Sequence, residues 1–340
     1  MRDYLKVVVG PAPYIRKRRS TQVIMAEVFW ALLPIWGLSI FKYGLVSLLM
    51  GLLCLIVSVG FEHWILVLKK QKPLGVLHDY SAAITGLLLA LTLPPSLPFW
   101  IAGLGALISM SLGKHIFGGL GHNPFNPAIV GRVFLQVSFT VPMTHWSPPW
   151  LANRFFSIFE SNLAWPFMRP VLDGVSGATP LGLFKFEDTP TPWVHFILDQ
   201  TSGCLGEVSP LLILLLGLVL AFKRALDYRI PASVISITLI LSSLFYLVGK
   251  GPDPLFVLAS GGFMLGAWFM ATDMVSSPVT PLGVWLYGGL IALLIVSIRL
   301  WGGMPDGVAF AILLGNAVVP LIHLGTQPRV FGTQKRGSLP

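Results

Sequence analysis

Apolar residues in this chain come in runs too long for a strand and too evenly apolar for a surface helix. They lie near 21–41, 43–67, 78–94, 97–113, 126–142, 208–222, 231–248, 254–272, 282–298 and 307–325. A helix that is hydrophobic all round is buried in a core or in lipid. Crossing about 30 Å of hydrocarbon takes roughly 20 such residues. The pattern therefore predicts about ten transmembrane helices. The third and fifth runs are the weakest: the third stops at Pro94-Pro95, and the fifth starts at Asn126-Pro127 and contains Arg132.

Two stretches echo each other. Gly86-Leu-Leu-Leu-Ala-Leu-Thr-Leu-Pro, then Leu97-Pro-Phe-Trp and Gly103-Leu-Gly-Ala-Leu-Ile, resembles Gly266-Ala-Trp-Phe-Met-Ala-Thr-Asp, then Leu282-Gly-Val-Trp and Gly288-Gly-Leu-Ile-Ala-Leu. Lys114-His-Ile-Phe-Gly-Gly likewise echoes Arg299-Leu-Trp-Gly-Gly. The copies sit five runs apart, an odd number, so they must cross in opposite directions. Inverted repeats of this kind build transporter-like cores, with interrupted segments meeting near the midplane. The predicted fold is an all-α polytopic membrane protein, with about ten transmembrane helices in two inverted five-helix repeats with broken helices. The expected divisions are a cytoplasmic N-terminal segment (1–20), a first five-helix repeat (21–142), an outer, periplasmic loop (143–207), a second five-helix repeat (208–325) and a cytoplasmic tail (326–340). Shared use of Gly, Leu and aromatics in apolar helices is the blander source of the likeness.

Composition fixes the solvent. Of the 340 residues 54% are hydrophobic and 11% charged, against about 25% charged in a soluble domain. The net charge of +9 then reports orientation rather than nucleic-acid binding. With the N-terminus cytoplasmic, seventeen of the 23 lysines and arginines fall on the cytoplasmic face. An even number of spans with both ends inside preserves that asymmetry. Two cysteines, one in an apolar run and one in a polar loop, exclude a disulfide framework and suggest no metal site. No HExxH, CxxC or phosphate-cradling glycine loop is present.

The helix breaks carry polar residues. Asn123, Asn126, Arg132, Thr272 and Asp273 lie at Leu93-Pro-Pro, His122-Asn-Pro-Phe-Asn-Pro and Met274-Val-Ser-Ser-Pro interruptions or beside them. Backbone groups freed in hydrocarbon must find protein, water or a ligand, and an ionisable residue at membrane depth is a functional candidate. The same residues would serve equally as caps of half-helices at the cytoplasmic interface. Glu27 and the Glu62-His63 pair are expected to snorkel or pair.

The outer loop holds Asp173-Gly-Val-Ser176-Gly177-Ala178-Thr179-Pro-Leu. It nearly matches the G-x-S-x-G nucleophile elbow, but Ala178 replaces the last glycine and no triad partner follows. A plain surface turn is the alternative.

Asp173-x-x-Ser176-Gly177-Ala178-Thr179 also resembles the sequence at which a flavin transferase esterifies FMN to a threonine hydroxyl. Further motifs are Gly121-His-Asn-Pro-Phe-Asn-Pro-Ala-Ile-Val-Gly-Arg132, Phe269-Met-Ala-Thr-Asp273, Ser277-Pro-Val-Thr-Pro281, Trp301-Gly-Gly-Met-Pro-Asp-Gly-Val-Ala-Phe-Ala311 and Pro328-Arg-Val-Phe-Gly332. Together they resemble, over nearly the whole chain, the RnfD family. That family comprises the D component of the Rnf-type ion-translocating electron-transport complex and its relative, the B component of the sodium-translocating NADH:quinone oxidoreductase. The resemblance implies covalent FMN at Thr179, with Asp173, Ser176, Gly177 and Ala178 forming the flavinylation motif. It implies noncovalent riboflavin as well, at the cytoplasmic-side breaks, where Asn123, Asn126, Arg132, Thr272 and Asp273 would form a flavin or ion site. No residue is expected to be catalytic or to bind a metal.

The implied activity is that of one component of an ion-translocating oxidoreductase, a translocase, with no activity when isolated. Electron transfer between ferredoxin and NAD, or a related acceptor, would drive Na⁺ or H⁺ across the membrane, and the protein would position the flavin. Expected partners are other membrane and peripheral subunits, including a second FMN-carrying subunit and iron–sulfur subunits, together with the flavin transferase and membrane lipid. The expected location is the bacterial inner membrane, multi-pass. A complex that keeps a redox regulator reduced would use the same kind of chain. The rival is a cofactor-free channel or secondary transporter on the same inverted-repeat core.

Overall fold

The computed structural model describes residues 20–70, 79–166, 168, 179–187, 189, 191–197 and 199–328. Among these residues every regular element is a helix. The principal helices are α1 (Thr21–Tyr43), α2 (Leu45–Leu68), α3 (Ser81–Thr92), α4 (Phe99–Ser111), α5 (Pro127–Ser138), α6 (Pro180–Glu187), α7 (Pro210–Phe222), α8 (Arg229–Leu247), α9 (Pro254–Ala259), α10 (Pro281–Trp301) and α11 (Val308–Thr326).

The sequence marks their starts. A capping oxygen followed by proline at the first helical position supplies an acceptor for a free amide and a preset φ. Asn126-Pro127, Asp253-Pro254 and Thr280-Pro281 all use it, with side-chain oxygens accepting from Ala128, Leu255 and Gly283 amides. Ser20 Oγ accepts from the Val23 amide to open α1.

Each of the ten apolar runs contains helix, but only six helices are long and apolar enough to cross a membrane: Thr21–Tyr43, Leu45–Leu68, Phe99–Phe117, Arg229–Leu247, Pro281–Trp301 and Val308–Thr326. The helices α3, α5 and α7 have 12, 12 and 13 residues, about 18–20 Å at 1.5 Å per residue. The run at 254–272 breaks at Ser260–Gly262 and resumes as Phe263–Leu265 and a π-helix at Gly266–Met270. The third and fifth runs were expected to be weak. The shortness of α7 and the break in the eighth run were not.

The short helices are apolar because protein surrounds them. In α3, Ser81, Ala82 and every residue from Ile84 to Leu91 are buried. It packs against α1, α2, α4 and α5. Gly86 permits the closest approach, since a Cβ there would stand 2.6 Å from the Cys54 carbonyl. On the other side, α8 packs on α10, α10 on α11, and the π-helix on α7, α8 and α11. The two sides meet through α1 with α7 and α5 with α11.

A cation at the end of a long helix closes the entry to a short one, twice. Lys114 follows α4, and its Nζ donates to Glu62 Oε1 and, at 2.6 Å, to Ser81 Oγ at the start of α3. The Lys114 and Glu62 side chains are each 2% exposed. Arg299, near the end of α10, donates to the carbonyls of Val257 (2.6 Å), Ser260 (2.9 Å) and Gly261 (3.3 Å), at the bend that precedes Phe263.

These burials revise the charge count. Lys42, Lys114 and Arg132 are buried, and the Arg299 side chain is 6% exposed, so none of the four is a surface charge. Arg132 in particular does not sit at a cytoplasmic interface. It lies one and a half turns into α5, with its guanidinium on the Thr92 carbonyl at the far end of α3. The remaining fifteen against four lean the same way more strongly.

Candidate functional site

Thr179-Pro180 repeats the cap-plus-proline signature, and Thr179 opens α6. Its Oγ1 accepts from the Gly182 amide at 3.1 Å, and its carbonyl accepts from the Leu183 amide at 2.9 Å. Gly182 leaves the hydroxyl room, since a Cβ at that position would stand 3.2 Å from Oγ1. Asp173, Ser176, Gly177 and Ala178 lie outside the described residues.

Two contacts fix α6 to the bundle. Leu181 shares an apolar cluster with Phe196, Phe256 and Val257, and the Phe184 ring packs on Phe256 at 5.7 Å. At the other end of α6 the Lys185 ammonium meets the carbonyls of Ile298 (3.5 Å), Arg299 (3.0 Å), Gly302 and Met304 (3.2 Å). These are the carbonyls left over at the C-terminus of α10, where the helix dipole favours a cation.

Thr179 lines a cavity of about 620 Å³, within the range of cofactor pockets. Its walls include Trp146, Phe186 and Phe310, with Arg132, Glu207 and Asp306. Burial and the neighbouring Asp306 push the Glu207 carboxyl up from its ordinary value, although Lys42 opposes the shift. Lys42 itself pairs with Asp199 at 2.6 Å and donates to the Glu207 carbonyl at 2.9 Å. The residues fit a flavin phosphoester: an accessible hydroxyl at a helix N-terminus, where amides favour an anion, beside a space with aromatic and cationic walls.

The helix-break residues divide. Asn123, Asn126, Thr272 and Asp273 line a separate cavity of about 80 Å³, with Ser81, Lys114 and Trp268. Arg132 is absent from that group and faces the Thr179 cavity instead. Asn126 is a cap, as the structural alternative had it, but its Nδ2 also donates to the Met270 carbonyl at 3.1 Å and so joins α5 to the π-helix. Asn123 Nδ2 donates to the Phe125 carbonyl at 3.0 Å and to Asp273 Oδ2 at 3.4 Å, and Ser276 Oγ donates to the same carboxylate oxygen at 2.8 Å. Thr272 Oγ1 donates to the Trp268 carbonyl at 2.7 Å. Asn123 Oδ1 and Trp268 Nε1 are buried without a partner. Such a cavity holds several waters or one small ion.

The NQR2, RnfD, RnfE family model matches residues 8–332. The chain belongs to this family. It is 38% identical over 344 residues to the D component of the ion-translocating oxidoreductase complex of Vibrio cholerae serotype O1 (strain M66-2), covering 95% of this chain and 99% of the relative. It is 38% identical over 347 residues to the protein of that name from Yersinia enterocolitica (96% and 99% covered), and 37% over 351 residues to that of Aeromonas salmonicida (96% and 99%).

In this family member the site contains residues that sequence reasoning missed. Glu207, Asp306, Gly182 and Lys185 sit outside the flavinylation motif. Two signals were available: the Thr-Pro cap signature that places Gly182 at the third helical position, and the acidic residue just before Gly307 at the start of α11. Lys185 offered no signal, because its partners are backbone carbonyls 113 to 119 residues away in sequence.

Proposed function

We propose that this chain is the flavin-carrying membrane component, RnfD, of an ion-translocating oxidoreductase complex, with FMN joined through its phosphate to Thr179. The observation that carries the proposal is the Thr179 hydroxyl, capping α6 at a cavity large enough for the flavin. The bound flavin supplies electron transfer. The chain supplies the rest: Thr179 fixes the phosphate, α6 directs its free amides at it, Lys185 and the Phe184–Phe256 contact hold α6 to the bundle, and Trp146, Phe186 and Phe310 enclose the ring from water. A cofactor-free channel has no use for an esterifiable threonine over such a pocket.

The complex would pass electrons between ferredoxin and NAD, or a related acceptor, and move Na⁺ or H⁺ against a potential worth about 2.3 kcal/mol per charge per 100 mV. Its other parts would be a second FMN-carrying subunit and iron–sulfur subunits, with the flavin transferase acting on this one. The chain would lie in the bacterial inner membrane with Thr179 periplasmic and both termini cytoplasmic. The ten apolar runs would form two inverted repeats, for which the Lys114 and Arg299 closures are the local support. Riboflavin, proposed as the second and noncovalent flavin, would enter beside Asn123 only by displacing lining side chains, since that cavity is about 80 Å³.

The test is in-gel flavin fluorescence of the denatured protein co-expressed with the transferase. Wild type should fluoresce and Thr179→Ala should be dark. Fluorescence that survives in Thr179→Ala, or is missing from wild type, overturns the assignment.

A further inference from the structure

Arg132 reaches from α5 into the wall of the Thr179 cavity. The residue is 6% exposed, and one guanidinium nitrogen donates to the Thr92 carbonyl. A guanidinium has five N–H donors. Among the described residues no carboxylate comes within ion-pair distance of it.

Its surroundings do not neutralise it. Glu207 and Asp306 share its wall, but the Glu207 carboxyl is pushed toward its neutral form by burial and by Asp306. Asp306 lies 3.8 Å from the Arg299 guanidinium, so its charge already has a partner. Arg132, Glu207 and Asp306 also line a narrower cavity of about 30 Å³ that continues to Leu91, Cys204 and Met270. Thr179 does not line it. Arg132 therefore stands at the deep end and Thr179 at the other. A buried cation without a counter-charge is costly, and a group that pairs with it is strongly favoured.

We propose that Arg132 is the counter-charge for the isoalloxazine ring of the flavin carried by Thr179, holding the negative charge that the ring gains on reduction. This rests on the covalent-flavin reading. Two electrons from a redox partner in the complex and one proton at N5 leave the reduced ring with one negative charge over N1 and the C2 carbonyl. A nearby cation favours that charged form. The phosphate is not the partner, because the ester fixes it at Thr179 and at the α6 amides. Arg132 is thus a positioning and electrostatic residue for the ring, and its bond to Thr92 aims the guanidinium.

The experiment is a reductive titration of the purified, flavin-loaded protein with dithionite and reference dyes over a range of pH, after fluorescence has established loading. In Arg132→Gln the flavin should load, and its potential should shift to more negative values. Arg132→Lys should stay close to wild type. The pH below which reduction takes up a second proton should lie lower in wild type than for free FMN, and return toward free FMN in Arg132→Gln. Unchanged potential and proton uptake in loaded Arg132→Gln overturn the inference while the Thr179 assignment stands. Should Arg132→Gln fail to fold or load, wild type decides: proton uptake like that of free FMN overturns the inference, and a lowered transition supports it. Wild type without fluorescence instead overturns the flavin reading itself.

Discussion

Lys114 and Arg299 occupy matching places in the two halves, yet they close their short helices with different chemistry. Lys114 is a compact charge and takes one carboxylate and one hydroxyl, Glu62 and Ser81. Arg299 is a planar fork and takes three carbonyls fanned around a bend. The difference follows what each entry offers. The start of α3 is a regular helix already capped by Asp79, whose Oδ1 accepts from the Ser81 amide and hydroxyl. The Ser260–Gly262 bend instead leaves several carbonyls exposed on one side. A lysine could not reach them all, and an arginine is suited to that planar array. The repeat thus preserves a cation at a position and lets its partners diverge.

The largest effect should come from breaking the carboxylate side. Lys114→Met strands Glu62 in the interior and should cost about 3–5 kcal/mol, read as a large loss of thermal stability in detergent. Lys114→Met with Glu62→Leu should recover most of that loss. A single variant as stable as wild type would show that the ion pair does not hold α3. On the other side, Arg299→Lys keeps the charge but loses the fork, leaving one or two carbonyls without a donor. About 1–3 kcal/mol is expected, and equal tolerance of lysine at both positions would erase the contrast. A smaller loss, about 1–2 kcal/mol, should follow Asn126→Ala, which removes a cap and the bond to Met270 between the halves. Protease accessibility near Met270 would report it.

The smallest effect concerns the acid beside the Arg299 region. The Glu207 carboxyl is raised from its ordinary value in the folded chain. Its contribution is therefore complete below the ordinary carboxylate range and is lost as pH rises through the raised value. Thermal stability should fall from mildly acidic to alkaline pH, and less so in Glu207→Gln. Identical pH profiles for the two proteins would show that Glu207 is not held neutral. At the functional site, Gly182→Val should lower in-gel fluorescence by crowding the Thr179 hydroxyl, whereas Gly203→Ala should not.

Much of this architecture was legible because lipid leaves a chain few choices. Apolar runs bounded by Asn-Pro, Asp-Pro and Thr-Pro gave helices and their starts, and the doubled Gly-Leu-aromatic motif marked two related halves. Helix length was less legible. Pro210–Phe222 reads as fully apolar, and only its packing against α1 and the π-helix reveals a helix too short to cross alone. The site divided in the same way. Thr179 was legible from local motif chemistry, and Asn126 from the cap it makes. Arg132 was misplaced because sequence gives the start of α5 but not where a long side chain ends. Lys185 was invisible for the same reason: nothing in a chain announces which distant helix will leave its carbonyls open.

Lys185 makes α6 an outrigger of α10. The ammonium holds four carbonyls at 298–304, so the segment that begins at Thr179 moves as one lever with a membrane helix. Any tilt of α10 is therefore transmitted to residue 179, and a swing in the bilayer becomes a change in distance to whatever waits beside that threonine.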